Sequence, residues 1–142
     1  MKKGIVYFLL LFVLGCSIGP KPIIYGETSC HFCSMTIVDK QHASQLVTKK
    51  GKVFNFDAIE CMLNHLNEVE AQKMGLLLTN TYHDPEDLMD ATKATFLISE
   101  GIPSPMGEYL TAFKTLEEAQ KAQKEHEGEI FTWEELRARF RK

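Results

Sequence analysis

The chain alternates short apolar stretches with polar turns after an apolar N-terminus. On either side of Lys50-Gly51, apolar and polar residues alternate in SQLVTKKGKVFNF, which predicts a β-hairpin. Further apolar runs bounded by turn residues predict strands. They are MTIVD (35–39), MGLLLTN (74–80), ATFLISEG (94–101), LTAF (110–113) and EIFTW (129–133). The acidic stretch HDPEDLMD (83–90) between two of them predicts a polar loop.

Helices are predicted where a capping residue is followed three positions later by glutamate. The pairs are Asp57 with Glu60, Thr115 with Glu118, and Thr132 with Glu135. Gly128 is expected to end the second helix after His126. Strands come in groups, without a regular alternation of strand and helix, so the fold class is predicted as α+β with two loosely similar strand-and-helix lobes.

The N-terminus, MKKGIVYFLLLFVLGC, has the pattern of an export signal. Its apolar run from Ile5 to Leu14 is too short for a transmembrane helix, which needs ~20 residues. The ending Leu14-Gly15-Cys16 resembles a bacterial lipobox, so residues 1–15 are expected to be removed and Cys16 to carry a lipid. An ordinary cleaved signal with a chance cysteine is the alternative.

The expected location is the cell envelope, on the periplasmic face of a membrane. Ser17, in place of aspartate, favours the outer membrane in a Gram-negative host. Residues 16–24 contain Gly19, Pro20 and Pro22, which predicts a tether before a domain over 25–142.

Composition and charge limit the classes of binding partner. The 142 residues carry a formal net charge of −3 and no stripe of Lys and Arg with aromatic residues between them, which argues against nucleic acid. Without Cys16, three cysteines remain, so a complete set of disulfides within one chain is excluded.

Cys30-His31-Phe32-Cys33 permits several chemistries. A thiol-disulfide oxidoreductase using Cys30 and Cys33 is one, although the β-branched residues that follow do not favour the helix such enzymes place there. A zinc site is a second; it would need Cys61 together with His31 or His65. A structural lipoprotein with a Cys30–Cys33 or Cys30–Cys61 bridge is a third.

A soft metal site is the fourth possibility. If the chain is extended from Cys33 onward, residues two apart share a face, so the sulfurs of Cys33 and Met35 would point to one centre. A thiolate and a thioether select Cu(I) over harder ions. Met106 lies in the loop sequence PSPMGEY, where a core methionine is less expected, and is the candidate third sulfur. Met62, Met74 and Met89 are expected in the core.

Three stretches, preceded by the lipobox, resemble the NosL family of nitrous oxide reductase accessory lipoproteins. They are CHFCSMTIVDKQHASQLVTKKGKVFNFDAIECM, IPSPMGEYLTAF and EIFTWEEL. The resemblance implies an α+β fold of two small similar lobes. It also implies a membrane-tethered protein without catalytic activity, which binds Cu(I) and passes it to a copper enzyme, typically nitrous oxide reductase.

The resemblance also implies a ligand set. Its copper ligands fall on Cys33, Met35 and Met106; the family pattern further includes Cys30, Cys61 and Asp57, which are not expected to contact the ion. Ser34 departs from the pattern, because the family usually has glycine between the cysteine and the methionine. The departure is expected to affect the local backbone more than the sulfur ligands.

Overall fold

The structure, a computed structural model, describes residues 18–141. The predicted signal peptide and the lipidated Cys16 lie outside the described residues. Within these residues, seven strands and three α-helices form an α+β fold with two antiparallel sheets, which confirms the predicted class. In chain order the elements are β1 (Ser44–Thr48), β2 (Val53–Phe56), α1 (Ile59–Glu68), β3 (Met74–Thr79), β4 (Met89–Asp90), β5 (Thr95–Ile98), β6 (Leu110–Phe113), α2 (Leu116–His126), β7 (Glu129–Phe131) and α3 (Trp133–Arg139).

The first sheet has the strand order β2-β1-β3-β4. The hairpin predicted around Lys50-Gly51 is confirmed: β1 pairs with β2 from Val47–Val53 at the turn to Ser44–Phe56 at the far end. Gly51 makes the turn with a positive φ of 81°, which favours glycine. Helix α1 covers one face of this sheet and buries Met62 in the main core.

The second sheet has the order β6-β5-β7, with β5 in the centre. Its two helices begin where the capping pairs predict, at Thr115 and Thr132, whose side chains accept the backbone N–H groups of Glu118 and Glu135. Gly128, at φ 107°, follows α2 as expected. Met74 and Met89, expected in the core, are partly buried against the main cluster.

Three local predictions are wrong. Residues 35–39 form no strand; they contribute only an isolated bridge between Ser29 and Thr36. Asp57 does not cap α1, because Ala58 occupies the N-cap position and no side chain caps the helix. The acidic loop includes the two-residue strand β4, since Met89 and Asp90 pair with Thr79 and Leu78.

Residues 18–24 lie on the first sheet, although the sequence predicts a tether. The amide of Gln45 accepts the backbone N–H of Lys21 at 2.9 Å and donates to the backbone oxygen of Lys21 at 2.7 Å. This segment covers the sheet face opposite α1, which explains why Gln45 and Val47 are fully buried. Within residues 18–141, no helix is long and apolar enough to cross a bilayer.

Candidate metal centre

A tight loop presents the first two cysteines. The backbone N–H of Cys30 donates to the oxygen of Met35 at 2.8 Å, and the N–H of Ser34 donates to the oxygen of Cys30 at 3.0 Å. Ser34 closes the loop with a φ of 66°, in the left-handed region. The chain is therefore not extended through Ser34, and the expectation that Cys33 and Met35 share a face of a strand is wrong.

The third cysteine comes from α1. Cys61 lies in the first turn of that helix, and its sulfur, with those of Cys30 and Cys33, forms a cluster in which all three lie within 4.8 Å of one another. All three are free thiols. Cys30 and Cys61 are buried, whereas Cys33 is half-buried, so the cluster has one sulfur near the surface.

Hydrogen bonds and burial shift the pKa values of the three cysteines in different directions. Cys61 donates to the sulfur of Cys30, and together with backbone N–H groups, including that of Cys33 at 3.5 Å, this lowers the pKa of Cys30 to about 4 against the opposing effect of burial. The same bond and burial raise the pKa of Cys61. Burial also raises the pKa of Cys33. In the metal-free cluster these effects favour the thiolate form of Cys30 and the protonated forms of Cys33 and Cys61.

Asp57 adjoins this thiolate. Its Oδ1 is buried without a hydrogen-bond partner. Burial and the negative charge of Cys30 raise the pKa of Asp57 to about 6. The carboxyl of Asp57 is therefore a second acidic group whose proton is linked to the charge of the cluster.

The loop that carries Met106 is fastened to α1. The backbone oxygen of Ser104 accepts the N–H of Gly107, which places Pro105 and Met106 at the centre of a turn. The hydroxyl of Ser104 donates to Oε1 of Glu60 at 2.5 Å, and the N–H of Leu110 donates to the same oxygen at 3.4 Å. Glu60 is fully buried and directly precedes Cys61, so both ends of the loop are tied to the helix turn that carries the third thiol.

The predicted residues thus fall into two groups. The structure brings together Cys30, Cys33 and Cys61, two of which the sequence had placed only in the wider pattern. Met35 and Met106 are exposed, at 45% and 36%, on the outside of the protein. From the sequence, Cys61 is placed near Cys30 only in the zinc and disulfide alternatives and not among the expected copper ligands, because the pairing of the Cys30 loop with α1 is a contact between segments about 30 residues apart.

Neither histidine completes a zinc site. Within the described part of the chain, no histidine nitrogen joins the three sulfurs within 4.8 Å. The His31 and His65 rings instead contact each other, with centroids 5.0 Å apart, and both pack on Phe54. Structural zinc sites have four ligands, so three sulfurs fit a softer ion that accepts lower coordination.

Comparison with known proteins gives the family and the fold. The family model NosL matches residues 22–140. The chain belongs to the NosL family. Among solved structures, the crystal structure of the copper chaperone NosL from Shewanella denitrificans is similar, with a TM-score of 0.71 and 19% sequence identity, covering 84% of this chain and 96% of that one. That likeness confirms the NosL fold. No curated protein matches the chain.

Proposed function

We propose that this NosL protein binds one Cu(I) ion at the Cys30–Cys33–Cys61 cluster and delivers it to a copper enzyme outside the cytoplasm. The single observation that carries the proposal is the set of three free sulfurs within 4.8 Å of one another. Thiolates are the ligands that favour Cu(I) most, and binding releases protons from thiols that are protonated in the metal-free protein. Membership of the NosL family and the fold shared with a copper chaperone support the same function.

The cluster suits a carrier because it is accessible from one side. Cys33 is half-buried, while Cys30 and Cys61 lie behind it. A partner can approach Cys33 and replace one ligand at a time, without first unfolding the site. We propose that the exposed thioethers of Met35 and Met106 assist at this stage, as weaker ligands on the outer side of the ion.

The proposed recipient is nitrous oxide reductase. The resemblance of the sequence to accessory lipoproteins of that enzyme supports this choice. The proposed anchor is a lipid on Cys16, which would keep the carrier at the membrane of the cell envelope. Incubation of the Cu(I)-loaded protein with the metal-free enzyme, followed by separation and copper analysis of both proteins, tests the transfer. Copper that stays on the carrier contradicts it.

The binding site is tested by anaerobic Cu(I) titration against a competing chelator. The protein is a soluble form that begins after Cys16, with single substitutions Cys30→Ser, Cys33→Ser, Cys61→Ser, Met35→Leu and Met106→Leu. Met89→Leu is the matched control, because Met89 is a partly buried core residue. Weaker binding in the three serine variants supports the cluster, and weaker binding in the two leucine variants supports the thioethers.

Each result has a separate meaning. Loss of affinity in the serine variants alone would reject Met35 and Met106 as ligands and leave the cluster in place. Loss in Cys33→Ser, Met35→Leu and Met106→Leu alone would instead favour the ligand set implied by the family resemblance. Binding that ignores all five substitutions overturns the proposed site.

A thiol-disulfide oxidoreductase is the second candidate, because the pKa of Cys30 is lowered to about 4. An attacking thiolate must also be accessible, and here the acidic sulfur is the buried one, with 2% exposure. The accessible Cys33 has a raised pKa. This arrangement is the reverse of what disulfide exchange requires, so the copper carrier is the better proposal.

A further inference from the structure

The N-terminal end of the described chain is held against one end of the first sheet. A Cβ added to Gly75 would lie 3.4 Å from Cγ2 of Ile18 and 3.4 Å from the backbone nitrogen of Lys49. Ile18 therefore packs where β3 passes the turn between β1 and β2. Three residues later, both backbone groups of Lys21 are hydrogen-bonded to Gln45. The segment from Ile18 to Lys21 is therefore held against the first sheet.

This attachment restricts where a lipid on Cys16 can lie. Cys16 is two residues before Ile18. An extended chain spans at most about 3.6 Å per residue, so Cys16 lies within about 7 Å of Ile18 in any conformation. A membrane that holds the lipid must therefore come close to this end of the sheet.

The same end carries a cluster of positive charge. We call Lys49, Lys50, Lys52 and Lys73 the lysine end; all four side chains are exposed. Residues 40–56 contain no acidic residue, although the whole chain has a formal net charge of −3. Two acidic residues, Glu68 and Glu70, border the groove beside the turn, and Glu70 is paired with Lys73 at 2.6 Å. The three lysines of the turn outnumber the acids that remain unpaired.

We propose that the lysine end rests on the anionic phospholipid headgroups of the membrane in which the lipid of Cys16 is inserted. The proposal rests on the lipid anchor given under Proposed function, and adds to it a fixed orientation of the domain. Two contacts of different kinds support the orientation: the short connection from Cys16 to Ile18, and the attraction between lysines and anionic lipids. Stable membrane attachment commonly combines one lipid signal with a basic patch in this way.

The cysteine loop lies further along β2 than the lysines of the turn. The backbone N–H of His31 donates to the oxygen of Asn55 at 2.8 Å, and the His31 ring packs on Phe54 with centroids 4.4 Å apart. Asn55 is two residues of strand beyond Val53, or about 7 Å. The cysteine loop is therefore displaced from the turn towards the other end of β2.

Lysine acylation tests the orientation without new labels. The full lipidated protein is placed in detergent, in phosphatidylcholine vesicles, and in phosphatidylcholine vesicles with phosphatidylglycerol, and acetylation of each lysine is followed by mass spectrometry. Lys93, Lys121 and Lys124 are exposed elsewhere and serve as internal controls. We expect the lysine end to react about fivefold or more slowly on the anionic vesicles than in detergent, with the control lysines unchanged.

Two triple variants sharpen the test. In Lys49→Glu/Lys50→Glu/Lys52→Glu, Lys73 is expected to regain its detergent rate on anionic vesicles. In the matched Lys93→Glu/Lys121→Glu/Lys124→Glu variant, which has the same net charge, Lys73 is expected to stay protected.

The possible failures are distinguishable. Equal rates for all lysines, or protection of Lys121 and Lys124 instead, overturn the orientation while the anchor stands. Equal protection with and without phosphatidylglycerol overturns the contact with anionic headgroups. A protein without lipid on Cys16 overturns both anchor and orientation. None of these results alters the Cu(I) titration, which tests the metal site alone.

Discussion

The helix of the first sheet begins differently from the helices of the second. Helices α2 and α3 start at Thr115 and Thr132, whose side chains accept backbone N–H groups of the first turn. Helix α1 starts at Ala58, without a side-chain cap. The side chain of Asp57, the residue before the cap, makes no capping hydrogen bond, and its Oδ1 is buried without a partner. Helix α1, which carries Cys61, therefore begins without the local interaction that starts the other two helices.

Buried polar atoms show the same difference. Three side-chain atoms in α1 or just before it are buried without a hydrogen-bond partner: Oδ1 of Asp57, Oε2 of Glu60 and Nε2 of His65. Two more, Oδ1 of Asn80 and Oγ1 of Thr81, directly follow β3, and no such side-chain atom is present among residues 94–141. Unsatisfied buried groups destabilise a fold, and natural proteins tolerate them mainly at functional sites. The comparison is consistent with a candidate metal site on the side of the first sheet and a scaffolding role for the second sheet.

Trp133→Ala should show the largest difference between an effect on stability and an effect on Cu(I) binding. Trp133 is 8% exposed and packs on Phe96, with ring centroids 6.0 Å apart. Its truncation should lower the free energy of unfolding by about 3–5 kcal/mol, measured by urea denaturation of the metal-free protein. The protein that remains folded should bind Cu(I) with unchanged affinity. Trp133→Phe is the milder control; reduced affinity in it would show that the scaffold and the site are not separate.

Cys33→Ser should have the opposite effects on stability and on Cu(I) binding. The half-buried thiol contributes little to the core, so the free energy of unfolding should change little. Loss of one thiolate ligand should weaken Cu(I) binding by about 100-fold, equivalent to about 2.7 kcal/mol, in the chelator titration. A variant that binds copper normally but unfolds more easily would indicate a structural role for Cys33. It would contradict the separation between the region of the candidate site and the scaffold.

Glu60→Gln should remove a pH dependence that comes from the α1 region. Burial raises the pKa of Glu60, against the opposing hydrogen bond from Ser104. Because the folded-state pKa lies above the unfolded one, the contribution of Glu60 to stability is fully present below the unfolded pKa and is lost as pH rises through the folded pKa. Glutamine keeps an oxygen for Ser104 and has no proton to lose.

Urea denaturation at a series of pH values measures this effect. From pH ~4.5 upward, the free energy of unfolding of Glu60→Gln should rise relative to the original protein and become constant above the folded-state pKa of Glu60. Glu118→Gln is the control, because Glu118 lies in the first turn of a capped helix of the second sheet. A constant difference across the pH range would mean that Glu60 does not titrate on unfolding.

The cap residues allow a direct comparison of the two regions. Thr132→Ala removes the capping box of α3 and should cost about 1 kcal/mol. Asp57→Ala should cost less, since its side chain caps nothing and has a buried oxygen without a partner. Both values come from urea denaturation at pH 7. An equal cost in the two variants would mean that the carboxylate of Asp57 supports α1 by another contact.

The sequence predicts the second sheet better than the first. Its caps at Thr115 and Thr132 are local signals, because the interacting residues are three positions apart, and both are confirmed. The candidate metal site depends on contacts between distant segments, which no local sequence pattern predicts. The β-branched Thr36-Ile37-Val38 predict a strand, but hydrogen bonds between Cys30 and Ser34 fold the preceding residues into a loop.

The same limit applies to Asp57 and the N-terminal segment. The Asp57–Glu60 spacing matches a capping signature, yet the side chain of Asp57 caps nothing and Glu60 accepts the hydroxyl of Ser104 instead. Gly19, Pro20 and Pro22 have the composition of a free tether, but the amide of Gln45 binds the backbone beside them. Local propensity is a weak guide wherever a distant partner offers a better hydrogen bond.

Ser34→Gly should produce the smallest effect. It compares backbone strain in the cysteine loop with backbone strain in the second region. Ser34 has a φ of 66°, a conformation that costs a non-glycine residue about 1–2 kcal/mol. Glycine removes that strain but loses more entropy on folding, by roughly 0.5–1 kcal/mol, so the net gain in stability should be about 0.5 kcal/mol. Glu127→Gly, at φ 61° and ψ −167° after α2, is the comparison in the second region; that conformation is almost exclusive to glycine, so its gain should be the larger. A gain in both variants, with unchanged Cu(I) affinity, would mean that Ser34 is ordinary backbone strain; a gain only in Glu127→Gly would mean that the Ser34 hydroxyl stabilises the cysteine loop.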